Sequence, residues 1–270
     1  MTRTKCNWGL TAAAMLFVGV WTASADYVIL NNDTRLEGQI QRRKLDGTVV
    51  IKVSRADGGS AVQEFAKGSY KSAVCDPPPP EFAVGVKAAN DKQWQAAIDA
   101  LEKVADDKQG LEVDKQARYV IARCLIQLGK APDAVAQFDK IAKIYGEEIR
   151  KDPQVAVEYA NALLAAKQNT KLSGVLDDII KDAPRPAAAK AQNLRGQMRE
   201  QQGQLDAALL DYMRTAYFFS RDGGDAVPEG LYRAAKVLDL KRDPRAKMLY
   251  KQVVDGYRDS PYAREAAGHI

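Results

Sequence analysis

The residue types that usually carry catalysis are scarce in this chain of 270 residues. Its single histidine, His269, is the second-to-last residue, where chains usually fray, so histidine-based proton transfer and histidine-ligated zinc have little to work with. The sequence contains no Gly-x-Ser-x-Gly, His-Glu-x-x-His or Cys-x-x-Cys motif and no phosphate-cradling Gly-rich Lys loop. We therefore expect no catalytic residue, no metal site and no cofactor.

Carboxylates and cysteines could supply other chemistry. Acidic residues occur in adjacent pairs at Asp106-Asp107, Glu147-Glu148 and Asp177-Asp178, but adjacent positions point apart and such pairs are typical of solvated surfaces. Cys75 and Cys124 lie far apart in the sequence, and two cysteines do not define a disulfide framework. We expect Cys124 to be a small core residue of a helix. Whether the two thiols are free stays open.

The first 25 residues have the three parts of a secretory signal peptide. Arg3 and Lys5 precede an apolar run over residues 9–21, and the small residues Ala23-Ser24-Ala25 follow it. We predict cleavage after Ala25 and a periplasmic or secreted protein. An uncleaved membrane anchor is the alternative, but thirteen apolar residues are too few to cross about 30 Å of hydrocarbon.

Charge and cysteine placement restrict the partners of the exported chain. Removing residues 1–25 lowers the net charge from +5 to +3, because that segment holds two basic residues and no acidic one. A weak charge on an exported protein argues against nucleic acid as a partner. No cysteine follows the apolar run before Asp26, so lipid attachment is disfavoured, and no membrane span is expected after cleavage.

Residues 26–76 have the alternating apolar pattern of strands. Five strands are predicted, at 27–30, 35–42, 48–54, 61–66 and 71–75, and Asp46-Gly47 is the strongest hairpin signal between them. The basic run Arg42-Arg43-Lys44 is interpreted as a solvated hairpin end rather than an anion site. Strand count and turn spacing loosely resemble SH3-like or Sm-like barrels, so we expect a small all-β domain.

Prolines then separate this domain from a helical one. Residues 77–81 contain four consecutive prolines, which predict a stiff polyproline linker. Residues 82–270 have helical periodicity and one phrase that recurs five times, in which an anchor residue precedes apolar residues four and seven positions later. The anchors, 36 to 38 residues apart, are Ala97, Ala134, Leu172, Ala208 and Ala246.

A second set of small residues lies twelve positions before these anchors. Its members are Gly85, Ala122, Ala160, Gly196 and Ala234. One small residue on each of two helices lets the helices of a hairpin approach closely, with large residues filling the seam around them. Gly85→Leu or Ala122→Leu is therefore expected to overpack its hairpin.

These residues resemble tetratricopeptide repeats (TPRs), which carry Gly or Ala in a first helix and Ala in a second. Trp94, Gly129, Pro184 and Gly203 also fall where that family expects them. The long period and the ending Asp259-Ser260-Pro261 look most like exported cell-envelope scaffolds of the Tol-Pal-associated and outer-membrane-assembly type. The resemblance implies a mainly α protein, an α-α superhelical TPR solenoid behind a small β-domain, and binding of a protein or peptide partner in the cell envelope.

The resemblance also implies a binding groove, because stacked hairpins present their first helices along a concave surface. The residues that it places there are Tyr119, Arg123, Gln127, Val157, Asn161, Leu164, Asn193, Gln197 and Gln201. Asn and Gln amides can pair with an extended peptide backbone, and Tyr119 with Arg123 can anchor a partner. The alternative is that these residues only solvate an open face. Residues 212–219 are interpreted as core rather than as a second interface.

Three classes of function stay open. The favoured one is a non-catalytic protein-protein interaction scaffold. The second is an envelope enzyme or enzyme subunit that uses groove carboxylates, although the predicted lining contains no paired acids. The third is a structural component that self-assembles into a homo-oligomer through its terminal repeats.

Overall fold

The computed structural model describes residues 26–44, 46–54, 58–146 and 152–270. The predicted signal peptide, its cleavage site and the Glu147-Glu148 pair lie outside the described residues. Within these ranges the chain is mainly helical, with a small antiparallel sheet before a stack of helix hairpins, as the sequence predicted. No helix of the described ranges has the length and apolar character needed to cross a membrane.

The sheet has five strands in the order β4-β3-β2-β1-β5. The strands are β1 Asp26–Leu30, β2 Arg35–Arg43, β3 Val49–Ser54, β4 Ser60–Phe65 and β5 Tyr70–Val74, each within one residue of its predicted bounds. Every pair is antiparallel. The β2–β3 turn contains Gly47 at φ +87°, and the amide of Thr48 donates to the Asp46 carboxylate over 2.8 Å, which is the turn chemistry that the sequence predicted.

The described residues contain eleven helices, arranged as five hairpins and one C-terminal helix. The helices are α1 Pro80–Asn90, α2 Trp94–Asp107, α3 Glu112–Gln127, α4 Ala131–Tyr145, α5 Pro153–Ala165, α6 Asn169–Asp182, α7 Arg185–Gln201, α8 Leu205–Phe218, α9 Ala226–Leu240, α10 Arg245–Gly256 and α11 Pro261–Ala267. Local sequence sets where they begin. Pro80 and Pro153 occupy first-turn positions, where proline is preorganised, and Asp152 caps α5 by accepting from the amides of Gln154 and Val155.

The small residues of the repeat lie in the seams of the hairpins, as predicted. All ten are buried, including Leu172, which departs from the small-residue pattern. A Cβ atom on Gly85 would overlap the Leu101 side chain, and one on Gly196 would overlap the Tyr212 ring. The repeat therefore marks the closest approaches between helices.

The sheet packs directly on the first hairpins. Val28 and Ile51 of the strands, and Cys75 directly after β5, belong to the same hydrophobic core as Leu101 and Leu125 of the helices. The sequence predicted a stiff linker over residues 77–81, but α1 already begins at Pro80. Because proline fits the start of a helix as well as it fits an extended segment, the proline run shortens the connection and the two parts share a core.

Two hairpins contain buried charged networks. In α3, Arg118 Nε lies 2.6 Å from the buried Asp114 carboxylate, and Arg118 also donates to the Gln137 side chain over 3.3 Å. In α8, the buried Asp211 carboxylate accepts from Gln192 over 2.6 Å and lies 2.8 Å from Arg199. Buried charges persist only when they are paired, so these networks fix the register of α3 on α4 and of α7 on α8.

Helix α11 packs against α9 and α10 and closes the last hairpin. The imidazole of His269 stacks on the Tyr250 ring, with centroids 4.5 Å apart and planes inclined by 15°. The sequence placed His269 at a frayed end, whereas the stacking on Tyr250 gives it a packing role.

Candidate functional site

The first helices of successive hairpins contact one another along the stack. Helix α3 packs against α1 and α5, and α7 packs against α5 and α9. In the described part of the chain, the second helices make no comparable contacts with each other. The hairpins are therefore closer together on the first-helix side, and the stack curves toward it, as TPR-like solenoids do.

Tyr119 and Arg123 lie together on this side of α3. The Arg123 guanidinium is 5.9 Å from the centroid of the Tyr119 ring, and Tyr119 meets Phe138 edge-on at 6.4 Å. The Gln154 amide of α5 donates to the Tyr119 hydroxyl over 3.2 Å. Burial, together with the charge of Glu158, raises the pKa of Tyr119, so the phenol stays neutral. Tyr119 is thus a half-buried ring in a fixed orientation beside an exposed cation.

Three other predicted groove residues also reach the surface. Gln127 and Gln201 are exposed at the ends of α3 and α7, and Asn161 is half-buried in α5. Their amides can donate and accept hydrogen bonds, as the prediction required.

Two of the residues predicted for repeat four, Asn193 and Gln197, are committed to packing instead. The buried Asn193 amide donates to the Ala226 carbonyl over 2.8 Å and to the Glu229 carboxylate over 3.3 Å. Gln197 donates to the same carboxylate over 3.3 Å, and Arg233 donates to it over 2.7 Å. Asn193 and Gln197 therefore join α7 to α9 through Glu229, a residue that the sequence analysis did not identify.

Two aliphatic residues of the predicted lining lie in the core. Val157 is 7% exposed and Leu164 is 6% exposed, and both belong to the main hydrophobic core. Both side chains pack into the hydrophobic core and do not line an open groove. We call the first-helix face the surface that is formed by Tyr119, Arg123, Gln127 and Asn161 of the predicted lining, together with Gln154, which bonds to Tyr119.

The segment 212–219 is only partly core. Tyr212, Ala216 and Phe219 are buried, as predicted, but Tyr217 and Phe218 are 54% and 67% exposed at the end of α8. Phe218 is covered on one side by Arg185, whose guanidinium lies 4.9 Å from the ring centroid. Tyr217 and Phe218 protrude because the helical period turns them away from the seam that buries Tyr212 and Phe219.

Basic side chains surround a cavity of about 330 Å³ between the sheet and α3–α4. Arg43 donates to the Tyr70 hydroxyl over 3.1 Å and to the Ile144 carbonyl in the last turn of α4 over 3.4 Å, and Lys44 pairs with Glu64 at 2.6 Å. Cations near a helix C-terminus complement its dipole. Arg43 therefore docks the sheet on α4, which corrects its interpretation as part of a solvated hairpin end, whereas Arg42 is exposed as predicted.

Both described thiols are buried and free, and neither is activated as a nucleophile. Burial and the nearby Asp26 carboxylate raise the pKa of Cys75 to about 11, and burial raises the pKa of Cys124. A nucleophilic cysteine requires the opposite shift. Among the described residues, no three His, Cys, Asp or Glu side chains group in a way that could hold a metal ion.

The fold is shared with known repeat proteins. The chain is similar to nearly identical TPR-like repeats of a putative kinesin light chain from Podosopora anserina, with 15% identity over 64% of this chain and 91% of that one and a TM-score of 0.52. It is also similar to a MamA RS-1 double mutant, with 19% identity over 67% of this chain and 97% of that one and a TM-score of 0.50. No curated protein matches the chain.

A family model described as the tetratricopeptide repeat matches residues 88–149 and 150–226. The two segments together make up just over half of the sequence, and both lie in the stack of hairpins whose small residues occupy the seams. The chain belongs to the tetratricopeptide repeat family.

Proposed function

We propose that this protein is a non-catalytic scaffold of the bacterial cell envelope, which binds a protein or peptide partner through its first-helix face. The observation that carries the proposal is the pairing of the half-buried Tyr119 ring with the exposed Arg123 on the first-helix side of the stack. Tyrosine and arginine are the residues that most often dominate the energy of protein interfaces.

The geometry of Tyr119 suits it to anchor a partner. Its ring is fixed by Phe138 and its hydroxyl by Gln154, so little side-chain freedom is lost when a partner covers it. Arg123 supplies a charged donor beside the ring, and the amides of Gln127 and Asn161 supply donors and acceptors for a peptide backbone. The TPR family is typically non-catalytic, which favours scaffolding over an envelope enzyme.

The double variant Tyr119→Ala/Arg123→Glu tests the first-helix face. With residues 26–270 immobilised and cross-linked to envelope extract, we expect recovery of the main partner to fall about tenfold or more, as for loss of an interface hot spot. Tyr217→Ala/Arg221→Glu makes the same two changes at the same spacing on exposed residues at the end of α8, and it should recover the partner like the unmodified chain.

Equal recovery by the Tyr119→Ala/Arg123→Glu variant and the unmodified chain would contradict the assignment of the first-helix face. Circular dichroism of both double variants should match that of the unmodified chain, because all four substituted residues lie at least partly outside the core. Loss of recovery by the α8 variant alone would place the partner on the second-helix side.

Export through a cleaved signal peptide is part of the proposal. Expressed at full length in a bacterial host, the protein is expected in the periplasmic or secreted fraction with an N-terminus at Asp26, measurable by intact mass. Ala25→Arg should leave the precursor uncut, because signal peptidase sites require small residues there. Recovery of the Met1 form in the cytoplasm from the unmodified gene would contradict export.

A further inference from the structure

One apolar cleft lies where the second helix of repeat two meets the two helices of repeat three. It has a volume of about 560 Å³ and is bounded by α4, α5 and α6. Its floor is apolar and includes Phe138, Ala142, Val155, Val175 and Ile179. The cleft lies between repeats two and three, and we call the contact between the two helices of each repeat its junction.

Side-chain size at two positions of the repeat explains why the junction of repeat three is open. Two positions of the repeat face each other across each hairpin. Four positions before the small residue of the first helix, repeats two to five carry Arg118, Ala156, Gln192 and Gly230. Three positions after the anchor of the second helix, the same repeats carry Gln137, Val175, Asp211 and Leu249. In repeats two and four these two positions hold long polar side chains that bond to each other, over 3.3 Å and 2.6 Å. In repeat three both are short and apolar, and both line the cleft.

The junction of repeat five carries Gly230 and Leu249, and it is closed by a different means. A Cβ atom on Gly230 would lie 3.0 Å from the Tyr212 carbonyl oxygen, so the backbone of α9 itself fills the space against α8. Of these four junctions, all within the described residues, that of repeat three has neither the bonded polar pair of repeats two and four nor the close backbone approach of repeat five, and both of its residues line the cleft. An unfilled apolar space costs stability, which makes it a candidate site for a side chain supplied by another molecule.

The two ends of the cleft differ in charge. At one end, the Asp139 carboxylate accepts from the Tyr159 hydroxyl and from Lys171, both over 2.8 Å. Burial alone would lower the pKa of Lys171, but hydrogen bonds with Asp139 and Tyr159 raise it, so the ion pair is complete. This end of the cleft is neutral.

At the other end, Asp178 and Asp182 lie one turn apart on α6 and both are exposed. Among the described residues no basic side chain forms an ion pair with either of them. Like charges at this spacing repel each other, and a carboxylate in the last turn of a helix also opposes the helix dipole. A cation bound at this rim would relieve both effects.

We propose that the cleft binds a peptide segment of a protein partner in which a large apolar side chain is flanked by Lys or Arg. The apolar side chain fills the space left by Ala156 and Val175, and the basic residue pairs with Asp178 and Asp182. The proposal rests on the proposed function, protein binding by the array, and it adds a second contact that shares no residue with the first-helix face. Two contacts on one partner raise avidity without strengthening either one.

The test uses the chain from residue 26, methyl-labelled at Ile, Leu and Val, and two peptides, acetyl-Gly-Arg-Trp-Arg-Gly-amide and acetyl-Gly-Glu-Trp-Glu-Gly-amide. We expect the basic peptide to shift the methyl resonances of Val155, Val175 and Ile179 saturably, and the acidic peptide to bind about tenfold more weakly or less. The methyl groups of Leu231, which belongs to the separate hydrophobic cluster of the last hairpins, should not shift.

Variants separate the cleft from other surfaces. Val175→Phe, which fills the cleft, should abolish the shifts of Val155 and Ile179. Asp178→Asn/Asp182→Asn, on the exposed rim, should keep the fold and bring the affinities for the two peptides close together. Tyr119→Ala/Arg123→Glu should bind the basic peptide like the unmodified chain, so its loss of partner in the pull-down tests the proposed function separately.

Several results would overturn the cleft proposal. No shift of the three reporters at millimolar peptide, equal binding of the acidic peptide, or unchanged binding by Val175→Phe would each do so. Shifts that grow with protein concentration in the absence of peptide would assign the cleft to a second copy of the chain instead. Loss of peptide binding in Tyr119→Ala/Arg123→Glu would move the peptide to the first-helix face.

Discussion

Replacing Arg118 with methionine is expected to lower the free energy of unfolding by about 3–5 kcal/mol, because it leaves a buried carboxylate without its cation. Asp114 is fully buried, and the Arg118 guanidinium, itself 5% exposed, is 2.6 Å from it. Arg118 also donates to the Ala105 carbonyl over 3.1 Å and so ties α3 to the end of α2. Urea denaturation of residues 26–270 measures the change, read from the midpoint at constant slope.

The double variant Asp114→Asn/Arg118→Met is the control for the buried charge. Asparagine keeps an oxygen for the Gly110 amide, which donates to Asp114 over 2.6 Å, but carries no charge. We expect it to recover much of the lost stability, since replacing both members of a buried pair costs far less than removing one. An unchanged free energy of unfolding in the single variant Arg118→Met would show that the charge network does not hold α3 in its register.

Substitution of Gly196 by leucine is expected to cost about 1–3 kcal/mol, because the seam between α7 and α8 has no room for a side chain. Even a Cβ atom at this position would overlap the fully buried Tyr212 ring. That ring cannot move away freely, because its hydroxyl donates to Glu200 over 2.7 Å. Thermal melting and urea denaturation should both report the loss.

Gly174→Ala in α6 provides the matched control. It also lies inside a helix, but a Cβ atom there meets nothing within 4 Å. Alanine should therefore stabilise the protein by up to about 1 kcal/mol, through the higher helix propensity of alanine over glycine. Gly196→Leu melting like the unmodified chain would show that the twelve-residue spacing of small residues does not mark the hairpin seams.

The sequence was sufficient to predict the strands, the hairpins and their seams, because these depend on local periodicity and on small residues that recur at fixed spacing. Gly196 and Ala208 could be identified as seam residues from spacing alone, and both are buried. The docking of the sheet could not be predicted in the same way. It depends on Arg43 meeting the end of α4, a contact between residues 101 positions apart that no local pattern encodes.

The first-helix face was predicted in part. Tyr119 and Arg123 are at the positions that the resemblance implied, since a helix places residues four apart on one side. Asn193 and Val157 have the same register as Tyr119, three positions before the small residue of their repeats, yet both are buried. The Glu229 carboxylate, which Asn193 and Gln197 share, lies more than 30 residues farther along the chain. The cleft depends on a departure from the repeat, because repeat three carries Ala156 at the position where repeats two and four carry Arg118 and Gln192.

Site-specific photo-cross-linking tests the central claim most directly. The photoreactive residue p-benzoylphenylalanine is placed at position 123 on the first-helix face or at position 221 beyond the end of α8, and the protein is irradiated in cells. The proposed function predicts one adduct band of a partner protein from position 123 and none from position 221. An adduct from position 221 with none from position 123 would contradict binding through the first-helix face.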